Sequence, residues 1–257
     1  MDARDWPCRL ELGKGGKRVM NVSTADAVSR DRIDALRKRF RTRCAATEDR
    51  FQNWQIRVHR SLSWLERAID LDPIDQPDGR LLYDWISFNA LYGYWDDEAG
   101  FPASDMASWR TFLGKLMQMD TAGRIVEQVR QLRDPILNLL EIPYVDMRFW
   151  QNLDRPPNIR RRRQDAVAAF VEGRWLSLLE AALTPVYVLR NQLVHGAATR
   201  GSELNRSTLA QARQVLEGVL PAIIEVVVEG GCHDDWPSLC YPPVETDGSP
   251  AARRPPR

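Results

Sequence analysis

Apolar residues recur at helical spacing almost without interruption from about residue 26 to residue 229, and this predicts an all-α fold. The clearest stretch runs from Glu48 to about Leu71. There Phe51, Trp54, Val58, Leu62, Leu65 and Ile69 make one continuous stripe, closed by Asp72-Pro73 and the turn Gln76-Pro77-Asp78-Gly79. Before it, Ile33, Leu36 and Phe40 mark a shorter helix. After it, residues 81–94 (LLYDWISFNALYGY) are almost wholly apolar and aromatic, and read as a helix buried on most sides.

Ser104 or Asp105 opens a helix to about Met119. Thr121 opens another to about Leu140, which Pro135 should kink or break. Residues 142–158, with three prolines, read as a loop, and a helix follows from Ile159 to about Leu183. Thr184-Pro185 then restarts the chain as a helix over 185–195, with Gly196 as its left-handed cap. Asn205 or Ser207 caps a last helix that ends at Gly230-Gly231. Val226-Val227-Val228 is β-branched but lies in helical spacing. The count is some seven helices in one domain over 23–241, with a flexible arm over 1–22 and a disordered tail over 242–257. Met20 is a candidate natural start.

Charge weighs mildly against one function class, the dedicated nucleic-acid binder. The net charge is +1, so no global field draws the chain to nucleic acid. The distribution is uneven: residues 1–60 sum to +7 and residues 61–124 to −6. Cys8, Cys44, Cys232 and Cys240 are scattered and form no disulfide framework, which fits a reduced compartment. No apolar leader or membrane-length apolar run is present. A soluble, cytoplasmic protein with no membrane partner is expected.

The chemistry concentrates in Arg190-Asn191-Gln192-Leu193-Val194-His195-Gly196, at the end of the predicted 185–195 helix. Asn191 and His195 are four apart and share a face, while Val186, Leu189 and Leu193 make the opposite, core-facing stripe. Arg190 lies about 100° around from Asn191, and its long side chain can reach the same rim. Arginine holds a phosphate through a bidentate fork, and histidine moves a proton near neutral pH. The helix dipole at the last turn favours a cation at His195. RNA cleavage by 2′-OH attack needs a group to handle protons and a group to stabilise the anionic phosphorane. His195 suits the first role and Arg190 the second, with Asn191 holding the ring or a phosphate oxygen. The competing reading is structural: Arg190 in an ion pair, with Glu180 nearby in sequence, and His195 as a helix cap.

The string resembles the R-x(4–6)-H motif of HEPN domains, in the form where a polar residue follows the arginine. The stretches Trp54–Ala68 (WQIRVHRSLSWLERA) and Asp84–Trp95 (DWISFNALYGYW) also look like a bacterial HEPN-type group, so the resemblance spans roughly residues 48–240 with gaps. It implies a helical bundle that dimerises and pairs two motifs. It also implies metal-independent endoribonuclease activity, often in toxin–antitoxin or phage-defence systems, with an antitoxin or regulatory protein as a further partner. By that resemblance Arg190 and His195 are catalytic and Asn191 supports them, and no cofactor or metal is needed. Some HEPN domains are non-catalytic modules that bind RNA, nucleotide or a protein. The helices between about 97 and 158 exceed a minimal HEPN bundle.

Other basic residues are candidate RNA contacts. Arg57 and Arg60 are three apart on one helix and could bind phosphate. The plainer alternative is a solvated basic face opposite the Trp54/Val58/Leu65 stripe. Arg160 and Arg163 belong to a run of four arginines that spreads around a helix start, so the run cannot fill one groove. Cys232-His233 with Cys240 matches no zinc spacing. Trp236, Leu239 and Tyr241 are expected to pin the chain's end onto the bundle.

Overall fold

The structure, a computed structural model, describes residues 29–47, 52–154, 156–197 and 206–243. The arm and almost all of the tail expected at the ends, and the Asn205 cap, lie outside the described residues. Ten α-helices, two single-turn 3-10 helices (Pro143–Val145 and Gly231–His233) and one hairpin of two-residue strands make up the regular structure that is described, so the fold is all-α. The α-helices are α1 (Arg30–Ala45), α2 (Gln52–Ile69), α3 (Pro77–Tyr92), α4 (Asp105–Met119), α5 (Arg124–Gln131), α6 (Arg133–Leu140), α7 (Met147–Gln151), α8 (Ile159–Glu172), α9 (Trp175–Val194) and α10 (Arg206–Gly230). The hairpin pairs β1 (Trp95–Asp96) with β2 (Phe101–Pro102) between α3 and α4. No helix among the described residues is long and apolar enough to cross a membrane.

α10 is the axis of the bundle. It packs against α1, α2, α3, α4, α5, α6 and α9. A helix that is apolar nearly all round has nowhere to go but inside, and α10 buries Leu209, Val215, Leu216, Leu220, Ile223, Ile224 and all three valines 226–228. The triple valine is therefore helical because tertiary burial outweighs its β preference. Around this axis α2 and α3 share the longest face, where Ser61 and Ser87 hydroxyls meet at 3.0 Å and the Ser87 hydroxyl donates to the Ser61 carbonyl at 2.8 Å. Trp54, Trp85 and Trp109 are fully buried, as a core role requires.

Several boundaries differ from the sequence reading, each for a local reason. Gln76-Pro77-Asp78-Gly79 is not a turn. Pro77 starts α3, where its missing N–H costs nothing, and the turn before it is closed by Asp72 accepting from the N–H groups of Ile74 and Asp75. The predicted 121–140 helix breaks at Leu132 into α5 and α6, three residues before Pro135. Its start is held by Asp120 rather than Thr121, because the Asp120 carboxylate accepts from Arg124 N at 2.7 Å and Ile125 N at 2.8 Å. The 142–158 loop contains the short α7, capped by Asp146.

The chain does not restart at Pro185. It breaks earlier, at Gly173, which takes the left-handed conformation (φ 69°) that a side chain resists, and α9 then runs unbroken through Pro185. An interior proline costs about 3 kcal/mol. Here the helix keeps one buried face through Leu178, Leu179, Ala182, Leu183, Val186 and Leu189, each large apolar chain contributing about 1.5–3 kcal/mol. Burial wins. The Thr184 hydroxyl also donates to the Glu180 carbonyl at 2.7 Å within the proline turn.

A polar cluster sits between α3 and α10. Arg80 and Arg213 both donate to Glu217 Oε1, at 2.7 Å and 2.9 Å, and Arg213 reaches the Pro73 carbonyl. Asp84 is buried beside them with one carboxyl oxygen unpartnered. Burial, with Glu217 adding to it, pushes its pKa well above the usual carboxylate range. A carboxyl with a raised folded-state pKa stabilises the fold below its unfolded pKa and loses that contribution as pH rises through the folded value. Asp84→Asn mimics the protonated form. It should match the wild type in thermal melts near pH 4 and melt higher than the wild type at pH 8. Equal melting temperatures at pH 8 would show that Asp84 is ionised without penalty.

Candidate functional site

The motif occupies the C-terminal turn of α9. His195 is the residue that ends the helix: its N–H bonds the Asn191 carbonyl at 2.9 Å, and Ala197 N closes on the Gln192 carbonyl at 2.8 Å. Gly196 has φ 69°, the left-handed cap expected of it. Val186 and Leu189 are buried and Leu193 is partly buried, so the core-facing stripe lies where the spacing put it. The Gln192 side chain donates to the Tyr144 carbonyl at 2.8 Å and ties this last turn to the connection before α7.

Arg190 is half-buried and held from three sides. Its Nη1 donates to Asn191 Oδ1 at 2.8 Å and approaches Asp105 Oδ2 at 3.5 Å. Its guanidinium carbon stands 6.0 Å from the centre of the Trp85 ring. Asp105 lies in the first turn of α4 and also accepts from the Tyr92 hydroxyl at 2.6 Å and from Asn89 Nδ2 at 3.2 Å. Burial, then the adjacent Asp105 charge, pushes the Tyr92 pKa far upward, so its hydroxyl stays a donor. Three helices, α3, α4 and α9, thus meet in one polar knot around Arg190. The His195 side chain is exposed and makes no hydrogen bond within the described residues.

Asp105, Asn89 and Tyr92 were not singled out from the sequence. The sequence marks Asp105 only as a helix start, and the acidic residue it places near Arg190 is Glu180, which the structure puts on the same helix. The signal that could have found them is the pair Asn89 and Tyr92, polar groups three apart inside an otherwise apolar helix, which must find partners once buried.

The other candidates do not join this knot. Arg57 is a correction to both of its sequence readings, the phosphate contact and the solvated face. It is 1% exposed and donates to the carbonyls of Leu91, Gly93, Pro237 and Ser238, the closest at 2.5 Å. Burial lowers its pKa to about 10, so it stays charged at neutral pH; both terminal nitrogens are taken by carbonyls, and only the buried Nε has no partner. Arg60 is half-buried and donates to the Tyr241 carbonyl at 2.8 Å. Trp236 and Leu239 pack inward as expected, whereas Tyr241 is 71% exposed and is held by its backbone instead. Arg160 is exposed, and Arg163 is paired with Glu141 at 2.6 Å. Among the described residues no group of His, Cys, Asp and Glu is placed to hold a metal ion.

The knot sets a stability test. Asp105→Ala removes the acceptor of a buried hydroxyl, an amide and a guanidinium together. It should destabilise the fold by about 1–3 kcal/mol in urea titrations, while Asp105→Asn, which keeps an acceptor, should cost less. If Asp105→Ala unfolds at the wild-type urea concentration, the knot does not hold Arg190. Set against known families, curated proteins and solved structures, the chain matches none of them.

Proposed function

We propose that this protein is a metal-independent endoribonuclease of the HEPN type, acting as a homodimer. The observation that carries the reading is the arrangement at the end of α9: an exposed His195 one turn from Asn191, beside an Arg190 already held in place by Asp105 and Trp85. In the proposed reaction the 2′-oxygen of RNA attacks the adjacent phosphorus and the bond to the 5′-oxygen breaks. One histidine takes the 2′-OH proton and another gives a proton to the leaving 5′-oxygen. A two-fold axis near the end of α9 supplies both, from His195 and the partner subunit's His195. Arg190 stabilises the phosphorane. Asn191 Oδ1 is occupied by Arg190, which leaves its Nδ2 for a phosphate oxygen. The products are a 2′,3′-cyclic phosphate and a 5′-hydroxyl.

A second reading has its own observation. Arg190 bound to Asp105 inside the Tyr92–Asn89 knot is also what a purely structural arginine looks like, and this favours a non-catalytic module that binds RNA, nucleotide or a protein. Setting and partner, a toxin–antitoxin or phage-defence system with a cognate regulator, belong to the proposal through the resemblance alone.

Incubation of the pure protein with mixed cellular RNA in EDTA separates the two readings. Cleavage should persist without metal and leave cyclic phosphate ends. His195→Ala and Arg190→Ala should each lower the rate by at least about a hundredfold, and Asn191→Ala by less. Cleavage surviving in His195→Ala, or lost with EDTA, refutes the mechanism. An RNA complex without cleavage transfers the case to the binding module.

Trp85, Phe88 and Tyr92 of α3 are spent in the monomer's own core and are not open to a second copy. Val194, next to His195 and 55% exposed, is an apolar side chain left at the motif. Val194→Glu should shift sedimentation at micromolar concentration from dimer to monomer without lowering the melting temperature. A wild-type protein that sediments as a monomer there counts against pairing.

A further inference from the structure

Two cavities of about 560 and 380 Å³ open side by side on the face built by α7, α8, α9 and the start of α4. They share Leu140, Arg148, Arg162 and Ala181 in their walls and so form one two-lobed groove. Five arginines line it against two aspartates, in a chain whose whole net charge is only +1. The floor is apolar, with Leu178 and Ala169 in one lobe and Met106 and Pro185 in the other.

The cations are only partly satisfied. Asp146 caps α7 and takes both Arg148, at 2.8 Å, and Arg162, at 3.2 Å, so one carboxylate serves two guanidinium groups. Arg162 Nη2 is buried and has no hydrogen-bond partner. Arg161 stands at the rim, 79% exposed, with Asp165 at 3.9 Å, too far for a firm pair. Arg174 closes the other side, paired with Glu172. Fixed, under-neutralised guanidinium forks over an apolar floor suit a phosphate attached to a less polar body.

We propose that this groove binds a phosphate ester, with Arg148, Arg161 and Arg162 on the phosphate and the apolar floor under the group it is attached to. The proposal does not rest on cleavage at His195. The run of four arginines thus divides as its helical spread requires: Arg161 and Arg162 face the groove, Arg163 pairs with Glu141, and Arg160 faces solvent. The source of the phosphate is a free nucleotide or an RNA strand. The second lobe includes Met106, next in sequence to Asp105, and Pro185, five residues before Arg190 on the same helix, so a strand lying there would head toward the motif.

Calorimetric titration of the full chain with inorganic pyrophosphate, ATP and a 5′-phosphorylated oligoribonucleotide tests this. The oligonucleotide arm uses the His195→Ala variant, so that any cleavage is silenced. Saturable binding of ATP that pyrophosphate displaces identifies a free nucleotide, and saturable binding of the oligonucleotide alone identifies a strand backbone; either supports the proposal. Arg148→Glu and Arg161→Glu change well-exposed side chains, and thermal melts confirm that both fold. Each should weaken binding by about tenfold or more, the loss of one charge-assisted hydrogen bond. Arg41→Glu makes the same charge change on α1, which packs on α2 and α10, and should leave affinity unchanged. No saturable binding of any probe overturns the proposal, as does equal affinity in the wild type, Arg148→Glu and Arg161→Glu.

Discussion

Everything in this structure is arranged around the burial of α10. A 25-residue helix with apolar side chains on nearly every face cannot be covered by one or two neighbours, so seven other helices converge on it. The arrangement tolerates Pro221 in its middle and Pro185 in the middle of α9 for the same reason. Each proline costs less than the continuous buried face it interrupts. It also decides where polar groups can go. Arg80, Arg213 and Glu217 are inside because α3 packs against α10, and they survive there only by satisfying one another and the carbonyls of Leu71 and Pro73.

The same logic explains Arg57. The chain leaves α10 through Gly231–His233 and must return across the end of α2 and α3. Its carbonyls at Pro237 and Ser238 arrive beside the buried Arg57 side chain. A single guanidinium, with its donors in one plane, meets these two and the C-terminal end of α3 at once. A lysine has the charge but not the fork. The residue is an internal staple, and the Trp236 ring, 5.7 Å from its guanidinium carbon, completes its enclosure.

The fold class was legible because apolar periodicity is a local signal. The stripe on α2 from Trp54 to Leu65 and the near-total apolarity of 81–92 name their own burial, and both faces are buried in the structure, with Phe51 outside the described residues and α3 ending at Tyr92. What failed was what depends on neighbours. Pro185 looks like a boundary in any local reading, and only the long buried face of α9 shows why it is not. Arg57 shares its spacing with Arg60, and nothing in that spacing tells a solvated pair from one residue inside and one at the rim. For the site, the helix end, its cap and the core-facing stripe were readable. The Asp105 partner was not, because it lies 85 residues away on another helix. Arg161 and Arg162 were masked by a run whose members are chemically identical and differ only by rotation about the helix.

The pairing of Arg190 with Asp105 bears directly on the proposed chemistry. An arginine that must meet developing phosphorane charge works best when its orientation is fixed before substrate arrives, because no reorganisation is then paid during the reaction. Asn191, Asp105 and Trp85 fix it. The cost is partial neutralisation by Asp105, but that carboxylate is itself shared with the Tyr92 hydroxyl and the Asn89 amide, which draw its charge toward α3. At 3.5 Å the Arg190–Asp105 contact is also the longest in the knot, against 2.8 Å for Arg190–Asn191 and 2.6 Å for Tyr92–Asp105. The guanidinium is therefore oriented more than it is quenched. That is the condition under which one arginine can serve both the packing of three helices and the binding of a phosphate.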